Sequence, residues 1–341
     1  MWDKLKGKLT ASTRYPAPRA DKGSTLRDQL EEFYVQQERR FVQLFLHGKP
    51  LATKPDEQEW FTDFERAGLV NVKTAGLYAP CVRVFPIQGA MIATDLGSHR
   101  DADQVFSLMF EQIYIARQLD IPAGTRALEL CVGSGVNSVF LSDTASSVAA
   151  VDISPRALEF ARFNIDINPG NVPVDLLEGS LFEPLGATEP FDYILANPPF
   201  EPVPPGADHF HHSHGGEDGL DVVREMLETL PKHLAPGGRF DMFTWSPGDD
   251  DNSVVAKLLR QAFPEGRIEI HRVDDRPLDD RLKPFRSAKG YAAWRQRLID
   301  AGYTTIWGVY TRVTLEGPAE TVVLDNIDEV DACIAIAREW R

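Results

Sequence analysis

Two hydrophobic rhythms divide this chain. From residue 121 onward, short apolar runs at 126–131, 147–151, 173–177, 191–196 and 239–245 alternate with stretches at 135–141, 155–165 and 219–234, whose apolar positions recur every three or four residues. Strand-length runs alternating with helical periods predict a doubly wound α/β domain, a mostly parallel sheet with right-handed crossover helices. Two more runs, 267–273 and 304–314, flank a helical stretch at 288–301 and bring the expected sheet to seven strands. The run at 304–314 is rich in β-branched and aromatic residues and is expected at the sheet edge, antiparallel to its neighbours. A final amphipathic helix is expected over 328–340.

The first 120 residues follow another pattern. Residues 1–24 are polar, carry Pro16, Pro18 and Gly23, and read as a flexible lead-in. Leu26, Leu30, Phe33, Tyr34, Phe41, Leu44 and Phe45 then predict one long amphipathic helix ending near Gly48 and Pro50. A second helix over 56–66, strands over 77–86 and 90–94, and a linking helix over 104–119 complete a small unit. The division is therefore a lead-in (1–24), a helical or α+β cap on the substrate side (25–120), and the α/β domain (121–341). A winged-helix-like arrangement is one option for the cap.

Composition narrows the setting. Hydrophobic content of 43% and charged content of 26% are ordinary for a globular protein, and no apolar run is long enough to span a membrane. The start, Met1-Trp-Asp-Lys-Leu-Lys, lacks the apolar core of a secretory signal. Cys81, Cys131 and Cys333 are odd in number and far apart, which argues for a reducing compartment; a cytoplasmic location is expected. Net charge is −15; residues 1–50 hold ten Lys/Arg and six Asp/Glu, +4, leaving −19 for the rest. Nucleic-acid enzymes carry a basic footprint for phosphates, and here only the N-terminal arm is basic, so a nucleic-acid partner is disfavoured.

Candidate chemistry sits at the strand ends. Glu129-Leu-Cys-Val-Gly133-Ser-Gly135 follows a strand and opens a helix, the place where a doubly wound sheet binds a nucleotide. Gly133 and Gly135 let the backbone approach a ligand. Ser138 stands where a dinucleotide fingerprint has its third glycine, which disfavours a pyrophosphate cofactor. Asp152, 17 residues past Gly135 (152 − 135), can accept hydrogen bonds from ribose hydroxyls, or can serve the helix start at Ser154-Pro155. After the fourth strand, Asn197-Pro198-Pro199-Phe200 offers a side-chain carbonyl, a main-chain carbonyl, two prolines that stiffen the loop, and an aromatic face. Two aimed acceptors of this kind can hold the N–H groups of a planar nitrogen.

These motifs, in this order, resemble class I S-adenosylmethionine (SAM)-dependent methyltransferases, and within them the small-domain group that contains the release-factor glutamine methyltransferases. Residues 127–135, 216–224 and 234–238 carry the likeness together with Asn197 to Phe200. The resemblance implies a Rossmann-like sheet, SAM as methyl donor and a planar nitrogen as acceptor. It places Glu129, Gly133 and Gly135 at the methionine end, Asp152 at the ribose, and Ser180 with Leu181 at the adenine. Asn197, Pro198 and Phe200 become the catalytic residues, with Asn197 also facing the cofactor. The likeness covers about a third of the chain and leaves the substrate-selecting cap open.

Residues 208–218 hold His209, His211, His212 and His214 with Asp208, Glu217 and Asp218. Such a set suits zinc, nickel or iron in composition, but one loop seldom closes a tetrahedral site without distant ligands. No metal is assigned; a mobile, substrate-facing lid is the expectation, with a histidine able to take a proton from the acceptor nitrogen. Cys131 reads as a small apolar filler beside the cofactor turn, and Trp60, Trp245 and Trp307 as core or pocket wall. The acidic body and unfamiliar cap favour N-methylation of a small amino-acid-derived or heterocyclic metabolite. A protein glutamine-type amide, an RNA base, and transfer of a SAM group other than methyl are the alternatives.

Overall fold

The computed structural model describes residues 17–20 and 25–340; most of the expected lead-in lies outside them. The cap begins with α1 (Leu26–Gln36), which buries Leu26, Leu30 and Phe33. The single long helix expected here is broken. Gln37 leaves helical geometry (φ −134°), α2 (Glu38–Phe41) restarts, and Val42–Leu46 winds as a π-turn. The wider winding buries Leu44, Phe45 and Leu46 in succession, which a continuous α-helix would splay over most of its circumference. With α3 (Gln58–Arg66), these segments enclose an aromatic cluster of Phe33, Phe41, Phe45, Phe61 and Phe64.

The strand expected over 77–86 is split at Cys81. β1 (Leu51–Ala52), β2 (Val70–Thr74) and β3 (Leu77–Pro80) make a small antiparallel sheet, and β4 (Val82–Ile87) pairs with β5 (Ala90–Asp95) as a separate hairpin. The linking helix is also shorter than expected: α4 spans Phe110–Gln118 alone. Asp95 accounts for the difference. Its carboxylate accepts the Val105 N–H at 2.8 Å while its own N–H donates to Val105 O, so the chain before α4 stays extended.

The main sheet has eight strands: β6 (Arg126–Leu130), β7 (Ser147–Asp152), β8 (Val174–Glu178), β9 (Phe191–Ala196), β10 (Leu234–Gly248), β11 (Arg267–Pro277), β12 (Thr305–Thr314) and β13 (Thr321–Asp325). Their order is β13-β11-β12-β10-β9-β6-β7-β8, and β10 to β8 run parallel. Helices α5 (Val136–Thr144), α6 (Pro155–Ile167), α7 (Asp221–His233) and α8 (Val254–Ala262) connect them. Then come α9 (Leu278–Arg281), α10 (Tyr291–Asp300) and α11 (Ile327–Glu339).

β12 is antiparallel, as expected, but lies inside the sheet between β10 and β11. Six successive residues from Ile306 are buried, which requires cover on both faces and both edges. The edge belongs to β13, an eighth strand too short and exposed to stand out from loop sequence.

The cap hairpin is sewn to the domain. Asn164 on α6 exchanges two hydrogen bonds with the Ala93 backbone (2.8 and 2.9 Å), and Asn168, one turn on, does the same with Met91 (3.0 and 2.9 Å). The free edge of β5 is thereby satisfied by side chains.

Candidate active site

One cavity of about 760 Å³ opens at the carboxyl ends of β6, β7, β8, β9 and β10. It brings together Gly133, Asp152, Ser180, Leu181, Asn197, Pro198 and Phe200, with Cys131 and Asn137 beside them. The end of β6 turns sharply: Cys131 (φ +61°), Gly133 (+56°) and Gly135 (+76°) all take left-handed backbone. At Gly133 an added Cβ would meet nothing within 4 Å, so the turn presents bare backbone to open space. At Gly135 it would meet Ala161 at 2.8 Å, so that glycine allows α5 to close on α6.

Glu129 and Gly135 are not among the lining residues. Glu129 is 1% exposed and receives Asn137 Nδ2 on one oxygen at 3.0 Å and Ser138 Oγ on the other. Burial pushes its carboxyl up to about 7, with those two hydrogen bonds pulling the other way. It fixes the first turn of α5 and so aims Asn137 at the cavity.

Asp152 ends β7. Its Oδ2 accepts from Gly133 N (2.9 Å) and its Oδ1 from Ser154 N (2.8 Å). Burial raises this carboxyl, and the backbone donors partly offset the rise. One side chain thus braces the glycine turn and the start of α6 while each oxygen keeps a lone pair for a ligand. Ser180 is 4% exposed, and its Oγ has no hydrogen-bond partner; Leu181 beside it has φ +48°. A buried hydroxyl without a partner on a cavity wall fits a bound polar group. Asn197 shows the same signature, since its Oδ1 is buried and unpartnered at the end of β9. Open backbone, a ribose-competent carboxylate and two orphan acceptors or donors fit SAM.

The far wall is aromatic and charged. Phe200 packs on Trp245 (centroids 5.1 Å) and Phe243 (5.8 Å), and the Arg281 guanidinium lies 3.9 Å from the Trp245 ring centre. Asp274 takes Arg281 at 2.7 Å and Arg276 at 3.2 Å. Burial lowers the Arg281 pKa. Residues from 102–112 and from 330–338 on α11 also line the cavity. Sequence reasoning missed Arg281, Phe106 and the place of α11 in the site because no motif marks them; only the fold brings them to one cavity with Trp245, which does serve as pocket wall. Trp307 is core.

The histidine loop, expected as a mobile lid, is knit to the acceptor motif. Glu201 N donates to Ser213 O (2.8 Å), and Gly215 N donates back to Glu201 O (3.0 Å). His209 bonds Glu201 at 2.6 Å, and His212 stacks on Phe106 (4.7 Å) and Phe210 (5.2 Å). Among the described residues, the group spaced to share an ion is His99, Asp101 and Asp103, outside this loop.

The family model of the methyltransferase small domain matches residues 98–262. A candidate protein N5-glutamine methyltransferase from Methanocaldococcus jannaschii is 31% identical over 200 residues, 56% of this chain and 92% of that protein. The chain belongs to the methyltransferase small-domain family. SAM is the methyl donor of that family. A release factor glutamine methyltransferase from Gloeobacter violaceus is 39% identical over 34% of this chain and 44% of its own length. A ribosomal protein uL3 glutamine methyltransferase from Bradyrhizobium diazoefficiens is 40% identical over 33% of this chain and 38% of its own length. The chain thus spans less than half the length of these last two relatives. The family match takes in Gly133, Asp152, Ser180, Leu181 and the tetrapeptide Asn197 to Phe200. It leaves out the lining residues from 273–281 and 330–338.

Proposed function

We propose that this protein transfers the methyl group of SAM to the nitrogen of a glutamine-type side-chain amide in a protein acceptor. The observation that carries the reading is Asn197 Oδ1, an unpartnered carbonyl oxygen at the end of β9, followed by two prolines and Phe200. A primary amide has two N–H groups. One donates to Asn197 Oδ1 and the other to the main-chain carbonyl of Pro198, while Phe200 covers the amide plane. Held so, the nitrogen faces the donor in line, and alignment supplies most of the rate. SAM supplies an electrophilic methyl on a sulfonium centre. Asp152, Ser180 and Leu181 hold its nucleoside end, and Gly133 and Asn137 at the α5 start lie toward the amino-acid end.

The relatives whose names specify an acceptor act on glutamine in proteins, which favours this acceptor over the small metabolite that composition suggested. The cavity of about 760 Å³, lined also by residues of 102–112 and α11, is the observation that favours a metabolite. One experiment separates them. SAM with an isotopically labelled methyl is incubated with the protein and a lysate of the source organism, then macromolecules are separated from small molecules. Label on a protein, mapped to N-methylglutamine, supports the proposal; label confined to small molecules refutes it.

A further inference from the structure

We propose that His212 is the catalytic base that removes the proton from the acceptor nitrogen, an inference that rests on N-methylation as the reaction. The backbone puts it there. Glu201 and His214 form a parallel bridge, and Glu201 directly follows Phe200. Glu201 N also donates to Ser213 O at 2.8 Å, so the turn that carries His212 sits against the end of the Asn197 to Phe200 segment. His212 and Asn197 to Phe200 line the same cavity.

The side chain is built for one protonation state. Its ring is held between Phe106 and Phe210, one on the linker and one on its own loop. Nδ1 is 2.8 Å from Ser213 Oγ, and Nε2 is buried with no hydrogen-bond partner. With the Nδ1 proton donated to Ser213, Nε2 keeps an unengaged lone pair. Burial first, and then the nearby His209 and His211, lowers the imidazole pKa to about 3, so the ring is neutral at any working pH.

The step balances. The acceptor nitrogen forms a bond to the methyl carbon, and the carbon–sulfur pair returns to sulfur. The nitrogen then carries one proton too many and a positive charge. One of the two N–H groups leaves the carbonyl that held it, its bond breaks with the pair staying on nitrogen, and the proton bonds to Nε2. A weakly basic imidazole suffices because an alkylated amide is far more acidic than imidazolium. The same weak basicity lets the proton pass on to water and resets the residue.

The test uses the full-length protein, methyl-tritiated SAM and the lysate fraction that the wild type labels. His212→Phe keeps an aromatic ring between Phe106 and Phe210 but has no nitrogen. His212→Gly leaves a gap that added imidazole can enter. We expect His212→Phe to lower kcat roughly 100-fold, the usual scale for a proton-transfer group, with SAM affinity within about twofold of wild type. Imidazole should restore His212→Gly and leave His212→Phe unchanged. A kcat for His212→Phe within about threefold of wild type overturns the proposal, as does an equal loss in SAM affinity. Product analysis stands apart: a methylated nitrogen other than an amide overturns the proposed substrate, and the kcat of His212→Phe still decides the base.

Discussion

Arg156 on α6 grips Asp95 on β5 through two parallel hydrogen bonds, Nε to Oδ2 at 2.9 Å and Nη2 to Oδ1, with both side chains 2% exposed. The pair joins the cap to the cofactor domain two residues past the helix cap at Ser154, beside the turn braced by Asp152. Asp95 also holds Val105, so the extended segment over the cavity hangs from the same carboxylate. Asp95→Ala removes both carboxylate hydrogen bonds from a buried guanidinium and is expected to cost roughly 3–5 kcal/mol of stability. Urea unfolding measures it. The double variant Asp95→Ala/Arg156→Met should recover part of the loss, and an unchanged midpoint for Asp95→Ala would show that the pair does not join the two units.

Asn197→Ala deletes the proposed acceptor-binding carbonyl. Turnover is expected to fall roughly 100-fold while SAM affinity stays near wild type. Steady-state kinetics with calorimetry checks this, and parallel losses would assign Asn197 to the cofactor alone.

Asp152→Asn should do the reverse. Loss of a charged acceptor facing ribose hydroxyls is expected to weaken SAM roughly ten- to a hundredfold with little change in kcat. Calorimetric titration of SAM measures it; wild-type affinity would leave Asp152 as a brace for Gly133 and Ser154 only.

The two turn glycines should separate. Gly135→Ala meets Ala161 and forces a left-handed alanine, an expected loss of about 2–4 kcal/mol in stability. Gly133→Ala carries the backbone strain alone, about 1 kcal/mol, and should show chiefly as weaker SAM binding because its Cβ enters the cavity. Thermal unfolding with and without SAM distinguishes them, and equal destabilisation of both would contradict the assigned roles.

His212 also sets a pH dependence. Its pKa falls from an ordinary 6.5 to about 3 on folding, so the neutral ring stabilises the fold fully above pH 6.5. As pH drops below 6.5 the unfolded chain takes a proton that the folded protein refuses, and stability is lost toward pH 3. Tm should therefore drop more between pH 7.5 and pH 5 for the wild type than for His212→Phe; parallel curves would show that the ring titrates normally in the fold.

Local chemistry was legible in the sequence. The strand–helix alternation after residue 121 and the antiparallel sense of 304–314 are properties of short windows, where hydrophobic period and β-branched content act directly. The motifs at Gly133 and Asn197 were legible for the same reason, since each needs a few residues at one strand end. Breaks in elements were not. Gln37 interrupts a run of good helix formers because the aromatic cluster of the cap rewards a different winding. Asp95 holds 104–109 extended from outside that segment.

The distant half of the cavity was equally hidden. Arg281 and Trp245 are 36 residues apart (281 − 245), and only the placing of β12 between β10 and β11 brings their segments to one wall. His212 could be counted among four histidines, but its selection depends on the hydrogen bond from Glu201 to neighbouring Ser213 and on Phe106 from another segment. The sequence by itself determined the domain type, the cofactor and the tetrapeptide proposed to hold a nitrogen, because these rest on contiguous residues. The tertiary structure alone decided what encloses that nitrogen, because burial and stacking are relations between segments that the chain order does not record.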